Sequence, residues 1–194
     1  MLNKFDKLKK ILKQKGEKME KNGDELLLQD DSLITTKTDL RGFITYANFD
    51  FIQFSGFSED ELLGSNHNIV RHPDMPRVIF KILWQCIKGG REINAFVKNK
   101  NKQGYFYWVY ANITPSFGHN GEIIGYYSVR RKPNRAAIPF IDNVYRDLRN
   151  VEREAKEQGK HDMVESEKVL AKTLLDLKMD HEVFFITLQK EGKV

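Results

Sequence analysis

The segment His67–Pro76 constrains the fold of this chain more than any other stretch of its sequence. It places two histidines, an arginine and an aspartate around two prolines, directly before an apolar run. Proline fixes φ and disfavours the α conformation in the residue before it, so His72 and Met75 are pushed towards extended geometry. We therefore expect a rigid turn that presents fixed polar side chains, with Asp74 capping a helix that begins near Pro76.

Composition and charge limit the class of protein. The 194 residues, 40% hydrophobic and 30% charged, are enough for one domain with extensions. Much of the net charge of +5 comes from lysines near the start of the chain, where we expect a solvated face and no nucleic-acid partner. Cys86 is the only cysteine, which excludes an intramolecular disulfide and fits a reducing compartment. No apolar run approaches the roughly 18 residues of a membrane span. We therefore expect a cytoplasmic protein.

Residues 31–132 alternate between strand and helix patterns and predict an α+β domain. The helical patterns begin at Asn48, at Ser58 and after Pro76. The strand patterns lie at 33–38, 43–46, 91–98, 105–117 and 122–131. Asn120-Gly121 indicates a hairpin between the last two strands. This order predicts an antiparallel sheet with helices grouped on one face.

Both ends of the chain are predicted to be helical extensions of this domain. Residues 1–30 contain Leu2, Phe5, Leu8 and Leu12 at helical spacing among lysines. Residues 133–194 contain one amphipathic helix around 141–155 and then apolar residues in an a/d-like series. These helices either fold back onto the domain or form a homodimer, and the sequence leaves both interpretations open.

The motifs of common enzymes are missing. The chain has no Walker-type phosphate loop, no GxGxxG, no CxxC pair, no HExxH and no convincing Ser/His/Asp set, so an enzyme is not indicated. The remaining polar residues suit a planar, hydrogen-bonding ligand, because Arg71 presents a fixed fork of donors and His67 and His72 can donate or accept. Further amide and aromatic side chains that could hold such a ligand are Asn48, Asn99, Asn112, Trp84, Phe80, Phe54, Phe106 and Trp108.

Six short stretches of the middle region carry a family resemblance. They are 38–40, 44–48, 54–57, 67–76, 97–99 and 107–109. Together they resemble a PAS domain, and more narrowly the flavin-binding PAS domain of aerotaxis and energy-taxis receptors. The resemblance implies a five-stranded antiparallel sheet with helices on one side and a cofactor held between them. It implies FAD as that cofactor, held at the positions that are here Asn48, His67, Arg71, His72, Asp74 and Asn99. We include Trp84 as an aromatic wall of the same site.

The resemblance also implies a function. Proteins of this type sense the redox state of the cell through bound FAD and pass the signal to a chemoreceptor. Because the chain lacks the membrane and signalling segments of an aerotaxis receptor, it resembles the stand-alone PAS partner of a two-protein energy-taxis system. Its partner would be a membrane-bound transducer, which would bring the chain to the membrane, and the terminal helices would be its docking or dimerisation surfaces.

Two alternatives stay open at this point. PAS domains also hold haem, so the chain could be a gas sensor with His67 or His72 as the axial ligand. It could also be a cofactor-free interaction module whose pocket is filled by aromatic side chains. This second alternative is favoured by Ile93, which stands where the resembling family has a tryptophan.

Overall fold

A computed structural model describes residues 19–194. The strands, in chain order, are β1 Glu20–Asn22, β2 Glu25–Leu27, β3 Ile34–Thr38, β4 Ile44–Ala47, β5 Ile93–Lys100, β6 Phe106–Phe117 and β7 Ile123–Arg131. The α-helices are α1 Phe49–Ser55, α2 Glu59–Leu62, α3 Arg77–Lys88, α4 Ile138–Glu157, α5 Asp162–Asp176 and α6 His181–Glu191. Short 3₁₀ helices occur at His67–Val70 and Arg135–Ala137.

The strands form one seven-stranded sheet in the order β1-β2-β6-β7-β3-β4, and β5 also pairs with β6, outside this order. Strands β3 to β7 pair antiparallel throughout. The predicted α+β class with an antiparallel sheet is therefore confirmed. The sheet has seven strands rather than five because a hairpin, β1–β2, adds to its edge through a single parallel pairing of Glu25 with Phe106.

The hairpin corrects the prediction for the start of the chain. Residues 20–27 are strands, although the sequence predicted a helical extension over residues 1–30. The turn falls at Asn22-Gly23-Asp24, where Gly23 has φ +61°. Leu26 is buried, which explains why this short segment pairs with the sheet instead of continuing a helix. The helical spacing at Leu2 to Leu12 lies outside the described residues.

The first two helices begin and end as their sequences predict. Asn48 accepts a hydrogen bond from the backbone N–H of Phe51 at the start of α1, and Gly56 ends that helix with φ +69°. Ser58 and Glu61 form the predicted capping box of α2. These local signals fix the bounds of the two short helices that precede the segment His67–Pro76.

Helix α3 begins at Arg77, where the sequence predicts it, but Asp74 does not cap it. The capping position is Pro76, which has no side-chain acceptor. The carboxylate of Glu152, on α4, instead accepts hydrogen bonds from the backbone N–H groups of Arg77 and Val78, each at 2.9 Å. The predicted cap is therefore wrong, because the free N–H groups of α3 are satisfied by a residue far along the chain.

The C-terminal helices fold back onto the domain. The hydroxyl of Tyr145, on α4, donates to the carbonyl of Phe96 in β5 at 2.7 Å. The ring of Phe185, on α6, lies 6.4 Å from that of Phe96. The a/d-like series is interrupted by Lys178, whose φ of 55° separates α5 from α6. Within residues 19–194, no helix has the length and apolar character needed to cross a membrane.

Candidate cofactor site

A cavity of about 480 Å³ lies between helix α3 and the inner face of the sheet. Ligand pockets of proteins typically enclose about 300–1,000 Å³, so this one is large enough for an organic cofactor. Its apolar lining comes from Leu83, Ile87, Val97, Ala111 and Ile113. Its polar lining includes Thr36, Asn66, His67, Arg71, Asn99, Ser128 and Arg130.

Aromatic side chains form part of the wall. Trp84 and Phe80 reach the cavity from α3, and Tyr126 reaches it from β7. The rings of Trp84 and Tyr126 meet edge to face, with centroids 5.5 Å apart. A Cβ atom at Gly42 would approach the Trp84 ring to 3.1 Å, so the glycine leaves room for this ring. The arrangement suits a flat aromatic ligand.

The charges around the cavity are all positive. Arg41, Arg71, Lys88 and Arg130 line it, and no aspartate or glutamate of residues 19–194 does so. Arg41 and Lys88 are exposed, whereas Arg71 is half-buried and Arg130 is buried. A cavity with this lining favours ligands that carry carbonyl oxygens or negative charge.

Arg71 is held against the wall by three contacts. Its Nη2 donates to the carbonyl of Met75 at 3.0 Å, and its guanidinium lies 4.4 Å from the ring centre of Phe80. Its backbone forms an isolated bridge with Asn99 of β5. Burial lowers the pKa of Arg71 from its ordinary value, which still leaves the group charged at neutral pH. The predicted rigid turn therefore fixes this side chain at the edge of the cavity.

His67, which is half-buried, and Arg130, which is buried, form a polar pair against the ring of Phe51. Arg130 Nη2 donates to His67 Nε2 at 2.7 Å and to Thr36 Oγ1 at 3.2 Å. The His67 ring stacks on Phe51 with centroids 5.4 Å apart. Burial, reinforced by the charge of Arg130, lowers the pKa of His67 to about 3, so the imidazole is neutral at physiological pH.

Two further polar groups of the lining lack partners. The Asn99 amide nitrogen and the Ser128 hydroxyl are buried and make no hydrogen bond with any described residue. Unpaired buried groups of this kind are uncommon in native proteins and cost stability unless a ligand or water satisfies them. Both groups therefore indicate where a ligand with donors and acceptors along its edge would bind.

The predicted site residues divide into two groups. His67, Arg71, Trp84 and Asn99 line the cavity. Asn48 does not, because its side chain is used by the backbone: Oδ1 accepts from Thr35 and Phe51, and Nδ2 donates to Leu33. The structure therefore gives Asn48 a role in joining β3 to α1.

His72 and Asp74 also face away from the cavity. The His72 ring lies against Phe106, and its Nδ1 accepts from the Asp74 backbone N–H at 3.1 Å. The Asp74 carboxylate pairs with Lys98 of β5 at 2.7 Å and with Arg149 of α4. Burial raises the pKa of Asp74, but the Lys98 hydrogen bond and the two positive charges outweigh burial and lower it overall. These contacts attach the segment His67–Pro76 to β5, β6 and α4.

Arg130 and Ser128 are among the lining residues that sequence reasoning missed. Arg130 stands beside Arg131 at the end of a strand, where a basic pair is typical of an exposed terminus. The signal that could have found it is alternation, because residues two apart in a strand share a face. Tyr126, Ser128 and Arg130 therefore face the cavity together, and Arg131 is exposed.

Ile93 does not line this cavity. It lies in an apolar cluster with residues of α3, α5 and α6, which include Ile79, Leu170 and Phe184. The exchange of an aromatic residue for isoleucine, inferred from the family resemblance, therefore falls where the C-terminal helices pack. It leaves the cavity wall of Trp84, Phe80 and Tyr126 intact.

The lining fits a flavin better than haem. Asn99, Ser128 and Arg71 would meet the polar edge of a flavin ring, and Trp84 and Phe80 its faces. A haem iron needs a free imidazole nitrogen, but His67 Nε2 already accepts from Arg130. His72 lies outside the cavity lining altogether.

Comparisons with known proteins agree with the fold. A family model described as a PAS fold matches residues 44–130, which span the sheet and the cavity. Residues 44–130 have a PAS fold. A solved light-oxygen-voltage domain, reported with a flavin analogue, superposes on 57% of this chain and 84% of its own with a TM-score of 0.50 at 20% identity, which shows the shared fold alone.

Curated relatives match the PAS domain as well. The aerotaxis receptor of Escherichia coli strain K12 is 41% identical over 121 residues, or 62% of this chain and 24% of that protein. The nitrogen fixation regulatory protein of Klebsiella pneumoniae is 30% identical over 105 residues, or 54% of this chain and 21% of that protein. The chain therefore spans a quarter or less of the length of these relatives.

Proposed function

We propose that the chain is a non-enzymatic redox sensor whose PAS domain binds FAD. The observation that carries this proposal is the lining of the cavity, which combines aromatic walls, unpartnered amide and hydroxyl groups, and cations without a carboxylate. A flavin nucleotide offers a flat ring, carbonyl and imide groups, and phosphates, which complement these three kinds of surface. The similarity to an aerotaxis receptor supports the same conclusion.

Each part of the lining has a task in this proposal. Trp84 and Phe80 contact the face of the ring, while Asn99 and Ser128 hydrogen-bond to its polar edge. Arg41 and Lys88, which are exposed at the mouth, bind the phosphates. The flavin, when bound, supplies the two-electron chemistry, and the protein residues bind it, orient it and exclude water.

The segment His67–Pro76 is the proposed route from the cavity to the C-terminal helices. Arg71 lines the cavity, and Asp74, three residues later, pairs with Arg149 of α4. Glu152, on the same helix, holds the first turn of α3. A change in the hydrogen bonding of Arg71 would therefore bias the packing of α4 against the domain.

We further propose that the receiver of the signal is a separate membrane-bound transducer of the chemoreceptor type. The chain would act in energy taxis from the cytoplasm and reach the membrane through this partner. The aerotaxis relative supports the assignment. Helix α5 carries exposed apolar side chains, Val164, Val169 and Leu175, that suit a partner or a second copy of the chain.

The binding proposal is tested by titrating the purified chain separately with FAD, FMN, riboflavin and haemin. We expect stoichiometric quenching of flavin fluorescence, tightest for FAD, because only FAD offers both phosphates and the adenosine to the mouth. We expect haemin to give no ligand-dependent Soret shift. Failure to bind any flavin would overturn the proposal, and a Soret band that is lost on substitution of His67 would favour the haem sensor.

Arg71→Ala tests the contact at the edge of the cavity. Hydrogen bonds to a charged group contribute about 1.5–3 kcal/mol, so we expect the FAD dissociation constant to rise roughly tenfold or more. Arg146→Ala is the matched control, because Arg146 is exposed on α4 and outside the cavity lining. Unchanged affinity in the Arg71 variant would remove this residue from the site.

A further inference from the structure

Arg130 is a buried cation without a counterion among residues 19–194. Its side chain belongs to β7, it is 5% exposed, and it lines the cavity beside Ser128. Its hydrogen-bond partners, Thr36 Oγ1 and His67 Nε2, are neutral acceptors, and its Nη1 has no partner among the described residues. Burial lowers the pKa of Arg130 to about 10, which leaves it charged at physiological pH.

Within the part of the chain that the structure describes, the surroundings of Arg130 offer no negative charge. The Phe51 ring lies 5.5 Å from the guanidinium, and the nearby Tyr107 hydroxyl is buried with its pKa raised, so it stays neutral. No carboxylate of residues 19–194 lines the cavity. An isolated buried charge is costly, so this arrangement is stabilised when a ligand brings negative charge into the cavity.

The pair also fixes the protonation of His67. A guanidinium is always a donor, so the His67 Nε2 that it contacts must be the unprotonated nitrogen of the ring. The neutral imidazole therefore carries its proton on Nδ1. His67 lines the cavity, and its Nε2 therefore presents no donor to a ligand there.

We infer that Arg130 is a specificity-determining residue whose charge makes the cavity prefer a ligand with an anionic edge, and that it also fixes the tautomer of the His67 ring. This inference rests on the proposed function. Reduction of a flavin by an external two-electron donor adds two electrons and, in the anionic form, one proton, which leaves one negative charge on the ring. Arg130 therefore favours the reduced anionic flavin over the neutral oxidised one and raises the reduction potential.

The test compares Arg130→Gln with Arg130→Lys and with the control Arg131→Gln, which changes an exposed residue of the same strand. The readout is the midpoint potential of FAD bound to the full chain, with dithionite as the reductant. We expect Arg130→Gln to lower the preference for reduced over oxidised FAD at least tenfold, which lowers the midpoint potential by about 30 mV for a two-electron couple. Arg130→Lys and Arg131→Gln should keep a midpoint potential close to that of the wild-type chain. An unchanged potential in Arg130→Gln would overturn the inference.

A second readout does not depend on the variants or on flavin. Nitrogen-15 chemical shifts of the His67 imidazole in the flavin-free wild-type chain should show the Nδ1-protonated neutral form throughout the range from pH 5 to 9. A proton on Nε2 would overturn the proposed pair, even if every Arg130 variant misfolds. If the wild-type chain binds no flavin, the proposed function fails while this measurement still tests the pair.

Discussion

At the scale of single residues, His67 makes the free energy of unfolding depend on pH in the acid range. Its folded-state pKa is lowered to about 3 by burial and by Arg130, against an ordinary value of 6.5. The unfolded chain therefore binds a proton below pH 6.5 that the folded chain excludes. The contribution of His67 to stability is complete above pH 6.5 and is lost as the pH falls towards 3, by at most about 1.4 kcal/mol for each pH unit.

Substitution of His67 by Gln should remove this acid-dependent component. We expect the free energy of unfolding of the wild-type chain to fall between pH 6.5 and 4 more steeply than that of the His67→Gln variant, as measured by urea denaturation at several pH values. His119→Gln, which changes an exposed loop residue, is the control and should keep the wild-type slope. Equal slopes in all three proteins would contradict the burial of a neutral imidazole.

At the scale of elements, the start of α3 depends on a residue of α4. Glu152 is 7% exposed and also accepts from Ser166 Oγ of α5 at 3.2 Å, so its carboxylate joins three helices. Loss of a helix cap costs about 0.5–2 kcal/mol, and we expect Glu152→Ala to lower the free energy of unfolding by at least that amount. Glu154→Ala, exposed on the same helix, should change it little. Urea denaturation measures both variants, and equal free energies of unfolding would show that the Glu152 carboxylate does not stabilise the start of α3.

The elements that were predictable are those whose signals are local. The Asn48 cap, the capping box of Ser58 and the glycine that ends α1 all lie within a few residues of the structure that they determine. The cap of α3 was not predictable, because its acceptor lies about 75 residues away along the chain. The β1–β2 hairpin was missed for the same reason, since its strands are short and gain their stability by joining the sheet.

For the apolar series of the C-terminal helices, the sequence predicted the helices but not what they pack against. The spacing from Met163 to Leu188 indicates helix-on-helix packing, and α5 and α6 are indeed helical. The same spacing does not reveal the break at Lys178, or whether the partner is another copy or the same domain. In the structure, α6 packs on β5 of its own chain, because Phe96 presents an apolar surface there.

At the scale of the whole molecule, this folding-back is itself testable. Phe185 is 3% exposed and packs against Phe96 and Phe184. Truncation of a buried phenylalanine costs about 3–5 kcal/mol, so we expect Phe185→Ala to lower the free energy of unfolding on that scale. Val183→Ala, at a residue 47% exposed on the same helix, is the control. If both variants were as stable as the wild-type chain, α6 would not be docked in solution.

Only part of the site could be predicted, because the position of each side chain depends on how the whole domain is assembled. The segment His67–Pro76 lies along β5, so its polar residues are divided between two sides of the sheet. His67 and Arg71 reach the cavity, while His72 and Asp74 reach β5, β6 and α4. Sequence alone shows that these residues are close together, but not on which side each one lies.

The absorbance spectrum of the full chain tests the central claim most directly. The chain is measured as purified, after incubation with FAD and removal of the excess, and after addition of dithionite and then air. We expect the visible bands of an oxidised flavin in a one-to-one complex, bleached by dithionite and restored by air. A chain that stays colourless after incubation with FAD would contradict the account, because its cavity would then hold no flavin.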